Sequence, residues 1–481
     1  MTFFNKKYFF CVLIILFLSG CSNLGFVSFK TANGEEPKDE KINTDEEIAT
    51  IQEPIIKPID MKSDHVSFVY TTKKQLSLTF NGMSDASTME EILETLDFHK
   101  IKATFFVSAN KVEEFPEIAE EIISRGHEIE NNSLEQQDLT NLSYEEIYNA
   151  ILESNTIIEE QTGTIPKYIR VTTVTENEDI LIATAHVGLT AAVTDGVNLH
   201  DWDMKSSSSF KEFIASGAKR GSILTANVEN PDIFTAIPIV AEVIANSGYE
   251  FVPLNQLMES SYERNKLEDI PGYNVVRKNS YDTFYNEIER MDTDKKQVAL
   301  TFNNWGSEQT ITNILDILKD SQVTGTFFID PVAAENNPNL ARTIVENGND
   351  IGIRTYSPID ITQVSKQVLQ EELIKGFQVL TMAIQKQTAM YFRPDYGIID
   401  KESSQIVATT GIKNIALHDV DSKDWEQATT YEIVTNVLED VQEGSIILLH
   451  LQDNLNTVDA LPMIITELRN RGYNIVKLGD I

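Results

Sequence analysis

Cysteine is almost missing from this 481-residue chain: the only two are Cys11 and Cys21, both near the amino terminus. Everything after them is without a disulfide, a thiolate nucleophile or a thiolate metal ligand, so the folded part rests on core burial. Positive charge is scarce as well. Lys and Arg number 39 against 74 Asp and Glu, a net charge of −35. A surface this acidic disfavours DNA, RNA and anionic lipid headgroups, whose phosphates need cationic partners. It also repels anionic wall polymers, so any glycan contact is local and short-ranged. Long apolar runs are missing too: residues 8–17 fall well short of the roughly 20 needed to span a bilayer. What is present, 41% hydrophobic and 9% aromatic residues, suits a folded chain with sizeable cores. The length suits two domains.

The apolar stretch 8–17 follows the basic pair Lys6-Lys7 and precedes Leu18-Ser19-Gly20-Cys21. This arrangement resembles a bacterial lipobox. The resemblance implies a signal peptide over residues 1–21, cleavage before Cys21 and lipidation of its thiol. Two acyl chains would hold the protein on the extracytoplasmic face of the cell membrane; an uncleaved hydrophobic anchor is the alternative. Residues 22–65 are polar and acidic, with Pro37 flanked by charges and no apolar periodicity, and read as a flexible tether.

Beyond the tether the same plan occurs twice. Thr79-Phe80-Asn81 returns as Thr301-Phe302-Asn303, and Thr104-Phe105-Phe106 as Thr326-Phe327-Phe328, each 222 positions later. Asp201-Trp202 matches Asp424-Trp425 and Gly221-Ser222-Ile223 matches Gly444-Ser445-Ile446, now 223 positions apart. Solenoid repeats run only about 20–50 residues, so these copies are whole domains. They are read as 66–260 and 295–481, separated by a linker over 261–294. Within that linker, aromatic residues at three- to four-residue spacing over 281–291 predict a helix.

Strand-like and helix-like segments alternate within each copy. In the first, residues 75–80 and 102–107 read as buried strands, with helices over 88–98 and 115–125, the latter ended by Gly126. In the second, 297–302 and 325–329 read as strands, and 311–320 and 339–347 as helices. Such alternation predicts an α/β fold with a parallel sheet, whose closed form is a barrel with its site at the strand carboxyl ends.

Here the chain resembles the NodB-homology polysaccharide deacetylases, or carbohydrate esterase family four. The resemblance covers about 70–258 and 295–481 and implies two tandem distorted (β/α)7 barrels. It also implies removal of acetyl groups from an N-acetylated polysaccharide with one divalent metal such as zinc. The family's Thr-Phe-Asp-Asp-Gly motif, which supplies a general base and then a metal ligand, reads Thr301-Phe302-Asn303-Asn304 here and Thr79-Phe80-Asn81-Gly82 in the first copy. Asn303 thus stands at the base position, where a carboxamide has no accessible basicity near neutral pH. The His-Thr/Ser-x-x-His metal motif reads Arg354-Thr355-Tyr356-Ser357-Pro358, and Asn132-Ser133-Leu134-Glu135-Gln136 in the first copy. The degenerate metal positions are therefore Asn304, Arg354 and Pro358, with Gly82, Asn132 and Gln136. Proline offers no ligand atom and a guanidinium repels cations, so no cofactor is expected.

Other family positions survive in the second copy. Arg393-Pro394-Asp395-Tyr396-Gly397 is close to Arg-Pro-Pro-Tyr-Gly, where the resemblance gives Arg393 an orienting role and the Tyr396 backbone N–H an oxyanion contact. Asp421, Asp424 and Trp425 match a motif that flanks the acid and lines the groove, and His450 stands at the general-acid position. The first copy keeps Arg170, Asp201 and Trp202, with Asn227 in place of the histidine.

Trp425, Tyr396, Arg354 and Asp395 are the candidate glycan contacts. Trp425 and Tyr396 read equally well as fillers of the barrel mouth. Arg354 and Asp395 read as an ion pair at the vacated metal position, or as a cation and base of a rearranged catalyst. The functional expectation is a lipid-anchored envelope pseudoenzyme that binds peptidoglycan or a related N-acetylated polymer, or scaffolds. The alternatives are an atypical deacetylase centred on His450 and a purely structural protein.

Overall fold

Seven residues, Gln75–Asn81, form the central strand of the first copy and seven more, Gln297–Asn303, that of the second. Each is buried along almost its whole length, as a strand must be when helices cover the outer face of a curled parallel sheet and its inner face packs within the barrel. In the computed structural model, residues 55–199, 206–278 and 281–480 are described, all within one compact unit. The leader, Cys21, most of the tether and the pair Asp201-Trp202 lie outside the described residues.

The strands of the first copy are β1 (Asp64–Val66), β2 (Gln75–Asn81), β3 (Thr104–Val107), β4 (Glu128–Asn131), β5 (Tyr168–Arg170), β6 (Ala191–Val193), β7 (Val197–Asn198), β8 (Ile223–Asn227) and β9 (Glu250–Phe251). Those of the second are β10 (Asn286–Ile288), β11 (Gln297–Asn303), β12 (Thr326–Phe328), β13 (Asp350–Ile351), β14 (Tyr391–Phe392), β15 (Asn414–Ala416), β16 (Val420–Asp421), β17 (Ile446–His450) and β18 (Asn474–Val476). The first sheet runs β1-β6-β5-β4-β3-β2-β8-β7, with β9 beside β2. The second repeats this order as two arcs, β10-β15-β14 and β13-β12-β11-β17-β16, with β18 beside β11. A parallel bridge between Ile353 and Phe392 links the two arcs. Every strand pairing is parallel. Antiparallel bridges from Phe68 to Ser222 and from Arg290 to Ser445 draw each sheet back towards its other edge. Each copy is thus the distorted barrel expected from the alternating pattern.

Local chemistry explains the helices between strands. Asp85 caps Ala86–Phe98 by accepting from the backbone N–H groups of Ser87 and Thr88, and Ser307 caps Glu308–Asp320 through Thr310. Ile311, Ile314, Leu315 and Leu318 fall on one face of that second helix and are buried. Phe80 stacks on Phe105 at 4.8 Å in one core, and Phe302 on Phe327 at 4.7 Å in the other. Among the described residues, no helix is long and apolar enough to cross a membrane.

The expected helix over 281–291 is a strand instead. Asn286–Ile288 is β10, paired with Asn414–Ala416, and a sheet edge awaiting a partner overrides the weak aromatic periodicity. Tyr285 packs on the second copy's core, whereas Tyr281 and Phe284 are exposed. Each sheet therefore begins earlier than its reading: β1 starts at Asp64, inside the stretch read as tether, and β10 at Asn286, inside the stretch read as linker.

The two copies are clasped through buried polar groups. Asn339, fully buried, donates its Nδ2 to the carbonyl oxygens of Val69 (2.8 Å) and Arg220 (2.7 Å), and its Oδ1 accepts from the Tyr262 hydroxyl at 3.1 Å. Arg220 pairs with Glu308 at 2.5 Å and donates to Thr312 at 2.9 Å. Gly221, at φ +80°, has no room for a side chain here: a Cβ would sit 1.8 Å from the Val69 carbonyl oxygen.

Candidate functional site

The carboxyl ends of the second copy's strands converge on a cavity of about 1010 Å³. Its floor is set by Asn303 and Asn304 at the end of β11, and its wall by His450 at the end of β17, adjacent in register. Asn304 has φ +68°, and its first-copy equivalent Gly82 has φ +90°. The chain turns left-handed at this point in both copies, a conformation that glycine and asparagine accept more readily than other residues.

Arg354 occupies the middle of the site. Its guanidinium donates to Asn304 Oδ1 at 2.8 Å and Asp330 Oδ1 at 3.0 Å, and it is ion-paired with Asp395. The other Asp395 oxygen accepts from the Thr355 hydroxyl at 2.7 Å. Arg354 and Asp395 are both buried, so the sequence-based ion pair is formed and both partners are committed to it. Burial lowers the Arg354 pKa, opposed by the charge of Asp330.

A second buried cation lies behind the first. Arg393 donates to the Thr301 hydroxyl (2.8 Å), Asn303 Oδ1 (3.0 Å) and the carbonyls of Ala416 (3.0 Å) and Leu417 (2.8 Å). Its guanidinium lies 4.2 Å from the Phe328 ring centroid. Burial, with the charge of Arg354 adding to it, brings its pKa down to about 9, so it remains cationic at neutral pH. Arg393 thus orients Asn303, the residue at the expected base position.

On the opposite wall, Asp424 holds His450 through Nδ1 (2.7 Å) and through the backbone N–H (2.8 Å), and also accepts from the Thr457 hydroxyl at 2.7 Å. Burial would raise the Asp424 pKa, but the hydrogen bond and charge of His450, with the Thr457 bond, outweigh it and hold the carboxyl below its ordinary value. Asp424 is fully buried behind the histidine and does not line the cavity, whereas Asp421 and Trp425 do. The Trp425 indole donates to Asp421 at 3.3 Å and is half exposed at 51%. Tyr396 is 73% exposed at the rim, in a left-handed conformation with φ +61°. Pro358 lines the same cavity and brings no donor.

Two residues that the sequence reading missed also belong here. Asp330, just after β12, holds Arg354. His418, just after β15, lines the cavity, and burial together with the nearby Arg393 charge lowers its pKa, keeping its imidazole neutral at pH 7. Both sit at strand carboxyl ends, where a barrel places its site, and that position was the available signal.

The first copy's site is smaller. Asn81, Asn132, Gln136, Arg170 and Asp195 line a cavity of about 170 Å³, and Gly82 and Gln136 border a neighbouring recess. Arg170 repeats the Arg393 arrangement: it donates to the Thr79 hydroxyl at 2.7 Å and lies 4.2 Å from the Phe106 ring. It pairs with Asp195 at 3.2 Å, and burial brings its pKa to about 10. Asn227 ends β8 where His450 ends β17.

The donors present do not suit a divalent metal. Around Asn304 they are a neutral carboxamide, a proline and a cation whose guanidinium already engages the three available oxygen-bearing side chains. Among the described residues no three or more His, Cys, Asp or Glu converge as a possible ligand set.

A family profile described as polysaccharide deacetylase matches residues 69–192 and 290–415, together just over half of the chain. A peptidoglycan-N-acetylglucosamine deacetylase of Bacillus cereus is 33% identical over 191 residues, 39% of this chain and 69% of that protein. An uncharacterized 30.6 kDa protein of Geobacillus stearothermophilus is 30% identical over 205 residues, 42% of this chain and 76% of its own length. Among solved structures, BA3943, described as a CE4 family pseudoenzyme from Bacillus anthracis, is 26% identical, covers 40% of this chain and 68% of its own, and has a TM-score of 0.38.

Proposed function

The chain belongs to the polysaccharide deacetylase family, and from that premise we propose that it is a pseudoenzyme that binds an N-acetylated polysaccharide of the cell envelope. The observation that carries this reading is the position of Arg354. Its guanidinium is held among Asn304, Asp330 and Asp395, so a built-in cation already engages the oxygens beside the degenerate metal position. A fixed guanidinium satisfies the oxygens electrostatically but offers no exchangeable site for an activated water. The base position adds a second deficit, since Asn303 accepts from Arg393 and cannot take up a proton.

Binding does not need either function. The cavity retains the half-exposed Trp425 ring, the rim Tyr396 and the polar edges of His418 and His450, a mixture suited to a sugar's apolar face and hydroxyls. The peptidoglycan-N-acetylglucosamine deacetylases among its relatives favour peptidoglycan as the polymer. The lipobox-like residues ahead of Cys21 favour a lipid anchor on the extracytoplasmic membrane face. Calorimetric titration with N-acetylglucosamine oligomers, alongside acetate-release assays, tests the proposal. Binding without acetate release, weakened by Trp425→Ala, is the expected result.

The Asp424–His450 pair favours one other reading, an atypical deacetylase acting through His450. Acetate release by the wild type that His450→Ala abolishes would establish it.

A further inference from the structure

The two barrels are not separate binding units: we propose that their cavities and the cleft between them form one track for a single extended glycan strand. This rests on the glycan-binding reading above and concerns how long a ligand that site takes. Three cavities share walls. Asn336, the last residue of the helix Pro331–Asn336, lines both the second copy's cavity and a cleft of about 310 Å³ between the copies. Asp195 lines both that cleft and the first copy's cavity of about 170 Å³. The cleft follows the seam of the first barrel, where Ser67, Gly196 and Ile223 approach one another, and the second copy contributes Glu335, Asn336 and Pro338.

The far end of the track has an unused acceptor. Asn81 Oδ1 is buried in the first copy's cavity without a protein hydrogen-bond partner. Its second-copy equivalent, Asn303 Oδ1, accepts from Arg393, whereas Arg170 is turned towards Asp195. Buried acceptors are nearly always paired, and a ligand hydroxyl or amide N–H is the matching donor. The charged groups along the path have partners within the protein: Asp195 is ion-paired with Arg170, Glu335 accepts from the Tyr356 hydroxyl at 3.1 Å, and Lys219 donates to the Asn336 carbonyl at 3.2 Å. The half-buried Phe68 and Tyr70 give the cleft apolar faces. The Asn339 clasp fixes the spacing of the copies, so a strand reaching both ends gains contacts without paying for their alignment.

The test is calorimetric titration of the full chain with the di- and hexasaccharide of N-acetylglucosamine. The track predicts a hexasaccharide Kd at least about tenfold lower than the disaccharide's. Ser67→Trp, which plugs the cleft outside both cavities, abolishes that gain while the disaccharide Kd stays within about twofold. Asn81→Leu reduces the gain from the far end, and thermal melting verifies that both variants are folded. Equal affinities for the two lengths, or a gain that survives both variants, overturn the track while leaving the binding reading intact. Failure of the wild type to bind either oligomer overturns both together.

Discussion

Asp424 grips His450 at two points, accepting from the imidazole Nδ1 at 2.7 Å and from the same residue's backbone N–H at 2.8 Å. The carboxylate is fully buried and receives a third hydrogen bond from Thr457. The ring is thereby fixed against the cavity wall with its Nδ1 edge turned inwards. Replacing Asp424 by Ala strands three donors, and the expected cost is about 3 kcal/mol of unfolding free energy. Urea denaturation of the variant measures it. A loss below about 0.5 kcal/mol would mean that the pair is not formed in solution.

Arg354 and Asp395 are a buried pair, and removal of either partner leaves a buried charge. Arg354→Ala is expected to destabilise by about 3–5 kcal/mol, and Asp395→Ala, which leaves the guanidinium paired with Asp330, by less. The double variant is expected to cost clearly less than the sum, since it strands no charge. A double-mutant cycle by chemical denaturation supplies the coupling energy; strict additivity would contradict the arrangement.

Asn339 joins the copies through carbonyls of the first and a hydroxyl of the linker region. Asn339→Ala is expected to leave two buried carbonyl oxygens unpaired at a cost of about 1–3 kcal/mol. Limited proteolysis should then cut the chain between the copies sooner than in the wild type. Unchanged stability and an unchanged cleavage rate would show that the clasp is dispensable.

Glu130 gives the first copy a pH signature. Burial raises its pKa to about 8, opposed by hydrogen bonds from the Tyr168 and Lys167 backbone N–H groups. The native state therefore keeps a proton that the unfolded chain releases near pH 4.5. Its contribution is present in full below that value and is lost as pH rises through about 8. Glu130→Gln is expected to flatten this slope and to be more stable than the wild type at pH 9 by on the order of a few kcal/mol. Melting temperatures across pH 5–9 would reveal it.

Much of the fold was legible because the same pattern is written twice. Residues 75–80 and 297–302 read as buried strands, and β2 and β11 each extend one residue further. The helix expected over 281–291 was misread because its aromatic spacing is local, whereas the β10–β15 pairing joins residues more than a hundred positions apart. The site shows the same limit. Asn303, Asn304, Arg354, Asp395 and His450 were found by motif, and all five line the cavity. Asp330 and His418 belong to no motif, and they reach the cavity only because the barrel gathers the ends of β12 and β15. Asp424 was placed beside the groove by its motif, yet the Thr457 and His450 contacts draw it beneath the surface.

Restoring the missing donors checks the account from the other side. The combination Asn303→Asp, Asn304→Asp, Arg354→His and Pro358→His removes the built-in cation and supplies two carboxylates and two imidazoles. It is expected to bind one zinc ion per chain and to release acetate measurably from N-acetylglucosamine oligomers. A folded variant that does neither would show that the surrounding groove has diverged as well.

The most direct measurement is equilibrium dialysis of the purified wild type against zinc, with bound metal counted by elemental analysis. A site already filled by the Arg354 guanidinium predicts no tightly held ion. One ion bound per chain, and lost on Asn304→Leu, would contradict it.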